Sequence, residues 1–105
     1  MRMTTIYLGL LVRGPRFNDW DEQPDDLARL QAAHQAHIEE MLKTGRAMLA
    51  GPVTDDGFLR GALLFRAETL DEAAAFATTD PSIQAGRLVL EIHPWMIPAG
   101  VLPGT

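Results

Sequence analysis

The sequence predicts an α+β fold, a ferredoxin-like βαββαβ sandwich with a four-stranded antiparallel sheet and two helices on one face. Three observations lead there. Apolar runs and helical segments follow one another as strand, helix, strand, strand, helix, strand. The 105 residues suit one domain. Apolar residues at 47% against 22% charged are ordinary for a globular chain that buries a modest core. That domain is expected over residues 1–97, with 98–105 as a loose tail.

Each element has a local reason. Thr5 to Arg13 is a short Ile/Tyr/Val-containing run stopped by Gly14-Pro15, so it reads as a strand. Ile6, Leu8, Leu10 and Val12 fall on one face and Tyr7, Gly9 and Leu11 on the other, so both faces look covered. Gly14 to Gln23 is a polar loop whose Phe17 and Trp20 are expected to pack over a pocket mouth or a partner subunit. Pro24 fits the first turn of a helix that runs to about Thr44, with Asp25 and Asp26 at its positive end. Lys43 suits the other end, and Gly45 the left-handed cap. Ala47 to Val53 is a second strand, irregular at Gly51-Pro52. Asp55-Asp56-Gly57 is a tight turn, and Phe58 to Arg66 is the third strand. Thr69 and Glu72 form a capping box for a second helix ending near Thr79. Asp80 precedes Pro81, which disfavours helical backbone there. Ser82 to Gly86 is a turn or short helix, and Arg87 to Trp95 the fourth strand. Helices on one side leave the other sheet face bare. Tyr7, Leu11, Val89 and Trp95 are candidates for that face, and a face-to-face homodimer would cover it.

Composition excludes several function classes. The chain has no cysteine, so disulfides, thiolate metal sites and cysteine nucleophiles are ruled out. Fourteen acids against nine bases give a net charge of −5 with no basic block, so nucleic acid is not an expected partner. The longest N-terminal apolar run, Ile6 to Val12, is too short to span a membrane and lacks a cleavage signal after it. A cytoplasmic location is expected. There is no serine nucleophile elbow, phosphate loop or dinucleotide fingerprint, and no cofactor is expected.

One residue stands out. At about 100° per residue, Leu27, Leu30, His34, Ile38 and Met41 share an arc of about 80°. His34 therefore points toward the sheet, and His37, about 60° away, toward the flank. The plain alternative is a core histidine hydrogen-bonded to a backbone carbonyl. Asp80 is the natural partner, and a His–Asp pair in a pocket is an acid/base arrangement in which the carboxylate orients the ring. As the last residue of a helix, Asp80 would face the negative end of that helix's dipole; alone it reads as a turn residue. His34 and His37 one turn apart could also hold a metal, but a third ligand would have to come from His93, Glu39, Glu40 or Asp80, and no metal motif supports this. Gly51 could let backbone approach a ligand closely. Tyr7, His37, Gly51, Pro52 and Trp20 are the candidate substrate-binding residues.

The ordered set of Leu30 to Ile38, Lys43-Thr44-Gly45, Leu49-Ala50-Gly51-Pro52 and Asp55-Asp56-Gly57 resembles the YCII-related (YciI-like) family. So do Arg60-Gly61, Leu70-Asp71-Glu72-Ala73, Thr79-Asp80-Pro81, Ala85-Gly86-Arg87 and Glu91 to Trp95. The resemblance implies a ferredoxin-like unit paired into a dimeric α/β barrel, with a site built on a histidine and an aspartate. By its eleven-residue distance to Gly45 the histidine corresponds to His34, and the aspartate to Asp80. One branch of the family looks like a dehydrochlorinase of a chlorinated hydroxyquinol, and the barrel resembles muconolactone isomerases. The chain differs from many members at Gln35, His37 and Ser82-Ile83. The expectation is a small cofactor-free lyase or isomerase in which His34 and Asp80 do acid/base chemistry on a small cyclic metabolite. The alternative is a non-catalytic binding or structural dimer.

Overall fold

The computed structural model describes residues 1–105, apart from the side chain of Phe76. Strand β1 (Met3–Arg13) leads through a 3-10 turn at Phe17–Trp20 into helix α1 (Pro24–Lys43). Strands β2 (Ala47–Pro52) and β3 (Leu59–Phe65) follow. Helices α2 (Leu70–Ala77) and α3 (Pro81–Gln84) precede strand β4 (Leu88–Pro98). The sheet order is β2-β3-β1-β4, antiparallel throughout. This is the ferredoxin-like arrangement that the element order predicts.

Local chemistry explains most boundaries. The Thr69 hydroxyl accepts from the Glu72 N–H at 3.1 Å. The Glu72 carboxylate reaches back one residue further than a standard capping box, to the Glu68 N–H. Gly45 has φ 77°, the left-handed conformation that closes α1 after Thr44. Strand β4 runs three residues past Trp95 despite Pro94 and Pro98. It is an outer strand, so a proline nitrogen there can face away from the ladder. The tail after β4 is tied rather than loose. The Arg66 guanidinium donates to the carbonyls of Pro103 (2.8 Å) and Gly104 (3.3 Å).

The core lies between the helices and one sheet face. Tyr7, Leu11, Leu63 and Phe65 pack there with Met41 of α1, Ala73 and Ala77 of α2, and Leu88. Register places Tyr7 opposite Phe65 and Gly9 opposite Leu63. A Cβ on Gly9 would lie 2.5 Å from Cε2 of Phe65, so glycine makes the room that the buried ring occupies. This corrects one expectation: Tyr7 and Leu11 belong to the helix-covered face. Both faces of β1 are apolar, so alternation alone could not assign which one meets the helices. The open face carries Leu8 and Leu10 of β1 and Val89 and Trp95 of β4, the last two exposed as expected.

Candidate active site

His34 projects from the middle of α1, and Asp80 sits in the short link between α2 and α3. The two side chains meet: His34 Nδ1 is 2.7 Å from Asp80 Oδ2. Asp80 is only 2% exposed, whereas the His34 side chain keeps 22% of its surface open. The other carboxylate oxygen, Oδ1, accepts from the Ser82 N–H at 2.8 Å. Asp80 is thus the N-cap of α3, not the last residue of α2, which ends at Ala77. The dipole expectation was therefore attached to the wrong helix. The Asp80 carboxylate faces one backbone N–H, that of Ser82, rather than helix-end carbonyls, because Pro81 starts a new helix where its ring fits the first turn.

This arrangement assigns the proton on the His–Asp contact. An ionised carboxylate only accepts, so Nδ1 carries the hydrogen and donates it to Oδ2. In the neutral ring the second nitrogen, Nε2, then presents a lone pair, and it has no hydrogen-bond partner among the described residues. His34 also lines a cavity of about 260 Å³ between α1 and the β2–β3 end of the sheet. A basic nitrogen held by a buried carboxylate on a cavity wall can take up and return a proton.

The structure sorts the other sequence candidates. Gly51 and Pro52 line the same cavity, at the outer end of β2. Tyr7 does not line it and packs in the core instead. The His37 ring meets the Thr79 hydroxyl at 3.2 Å and does not line the cavity. Trp20 stands just before α1, away from the cavity lining. Its indole N–H is buried and has no hydrogen-bond partner among the described residues. His34 and His37 thus turn to different partners, Asp80 and Thr79. Leu11, Gln35, Ile38, Glu39, Arg60 and Leu63 complete much of the lining. Of these, Arg60 had a signal in the sequence, as the lone charge within Phe58 to Phe65. Glu39 stands out in the sequence only as a possible metal ligand.

Nearby, the Phe17 ring is flanked by three guanidinium groups. The Arg87, Arg13 and Arg60 carbons lie 4.1, 4.7 and 5.4 Å from its centroid. Burial pushes the Arg87 guanidinium below its ordinary pKa. Repulsion from Arg60 and Arg13 adds to this, and Asp21 opposes it.

Among the described residues, no helix is long and apolar enough to cross a membrane. No curated protein matches the chain. A solved structure is similar: the 5-chloro-2-hydroxyhydroquinone dehydrochlorinase TftG from Burkholderia phenoliruptrix AC1100, in complex with 2,5-dihydroxybenzoquinone. Identity is 26%, with a TM-score of 0.57, over 86% of this chain and 92% of that one. The YCII-related domain family model matches residues 13–96, a span from the end of β1 to the later half of β4 that includes both His34 and Asp80. With that match covering most of its length, the chain belongs to the YCII-related family.

Proposed function

We propose that this protein is a cofactor-free lyase or isomerase acting on a small hydroxyquinone-like ring, with His34 moving the proton and Asp80 holding the imidazole. The observation that carries this reading is the 2.7 Å contact between Nδ1 and Oδ2 on the wall of a cavity. In an elimination, Nε2 accepts a proton from a ring hydroxyl or ring carbon while the leaving group departs as an anion. In an isomerisation, the same nitrogen returns the proton at another position. The buried carboxylate stabilises the imidazolium formed between the two steps. The similarity to TftG supports the choice of ring chemistry. A cytoplasmic setting and a domain of residues 1–97 belong to the same reading.

The test uses 5-chloro-2-hydroxyhydroquinone as substrate and 2,5-dihydroxybenzoquinone as ligand. The wild type is expected to bind the quinone saturably and release chloride from the substrate. His34→Gln should lower turnover by about 10²–10⁴-fold while the fold persists. A wild type that binds both compounds and returns them unchanged would instead be a sequestering module.

The reading includes a homodimer formed through the open sheet face. Leu49, Val89 and Trp95 are exposed, and on a lone domain that surface would stay in water. Trp95→Asp should therefore halve the mass measured by light scattering. Equal masses for variant and wild type would remove the open face as the dimer interface.

A further inference from the structure

We infer that the ligand of this cavity carries an anionic oxygen on its ring, an ionised hydroxyl or a carboxylate, and that Arg60 receives it with Arg13 and Arg87 behind. This deepens the proposed function and rests on it, because Arg60 lines the cavity that His34 lines.

The chain is acidic overall, at −5, yet three of its nine basic residues gather around one phenylalanine. Their protein partners are mostly neutral. Arg13 donates to the carbonyls of Gly57 and Asp56, and Arg87 to the carbonyl of Phe17 at 2.9 Å. Arg60 Nη1 serves both the Asp56 carboxylate at 3.2 Å and the Gly57 carbonyl. That carboxylate is almost fully solvated, so it offsets little of the charge. Nε and Nη2 of Arg60 have no protein partner among the described residues, and a guanidinium presents a planar fork of donors suited to anionic oxygens.

Arg87 deepens the imbalance. It is only 8% exposed, and its guanidinium is disfavoured by burial and by the two neighbouring arginines. Phe17 compensates with its ring face. An anion entering at Arg60 would relieve the repulsion that the free protein carries. It would also place the ring between a cation at one wall and His34 at another, which orients it for proton transfer.

The measurement is calorimetric binding of three probes to the full chain: 2,5-dihydroxybenzoquinone with ionised hydroxyls, benzoate with a carboxylate, and neutral 2,5-dimethoxybenzoquinone. At least one ionised probe should bind wild type ten times more tightly than the neutral one, and whichever ionised probe wins identifies the anionic group. That preference should shrink as sodium chloride is raised. Arg60→Gln should erase it while neutral-probe affinity changes less than twofold, which also shows that the variant is folded. Arg60→Lys should restore part of it, and His34→Gln should leave it in place. Equal binding of all three probes by wild type overturns the anion assignment alone, as does Arg60→Gln weakening all probes alike. If none of the three binds wild type, the cavity is not the site, and both readings fall.

Discussion

Asp80→Asn is expected to lower turnover by about 10²–10⁴-fold while leaving the protein folded. The amide oxygen can still accept from the Ser82 N–H, so the cap on α3 survives. The amide nitrogen then faces His34 Nδ1, and it can only donate. Nδ1 must become an acceptor, the ring proton moves to Nε2, and the lone pair on the cavity side is lost. The stability cost should stay near 1 kcal/mol, since one hydrogen-bonded contact replaces another. Asp80→Ala differs, because it leaves the buried Ser82 N–H and the imidazole without their acceptor. That variant should lose about 2–4 kcal/mol. Nitrogen-15 spectra of His34 check the tautomer without any substrate, by showing the hydrogen on Nδ1 in the wild type and on Nε2 in Asp80→Asn. Wild-type turnover in Asp80→Asn would mean that the pair holds α1 to α3 and nothing more.

Phe65→Ala should produce the largest loss of stability, about 3–5 kcal/mol. Phe65 is fully buried at the end of the inner strand β3, between Tyr7 on β1 and Ala47 on β2. Removing the ring opens a void that the backbone cannot close, because Gly9 beneath it has no side chain to fill the space. The urea midpoint should fall with little change in the slope m. Gly9→Ala presses on the same ring from below and should cost about 1–3 kcal/mol. Combining Gly9→Ala with Phe65→Leu should cost less than the sum of the single changes, because the smaller side chain vacates the volume that the new methyl needs. Strict additivity would show that the glycine is not there for the ring.

The element order and the phase of His34 were legible in the sequence because each rests on local signals, whereas its pairing with Asp80, 46 residues away, was carried chiefly by the family resemblance. Proline at a helix start, the Thr69–Glu72 cap and the phase of His34 on α1 all depend on residues within a turn or two of each other. What escaped depended on contacts far apart in the chain. Which face of β1 meets the helices is decided by the fit of Phe65 over Gly9, more than fifty residues away. The role of Asp80 turned on whether Pro81 ends one helix or begins another, and proline is compatible with both. Arg60 joins the cavity, and Arg13, Arg60 and Arg87 meet at Phe17, only once three strands and the 3-10 turn are assembled.

The two outer strands carry a further consequence. Pro52 lies on β2, and Pro94 and Pro98 lie on β4. A proline on a sheet edge offers no N–H to an incoming strand, so each border of the sheet is interrupted where another chain would have to pair with it. Sideways growth into fibrils is thereby discouraged, even though several large apolar side chains remain in water. Any self-association is thereby steered toward contact between faces, which closes after two copies, and away from edge pairing, which has no natural end.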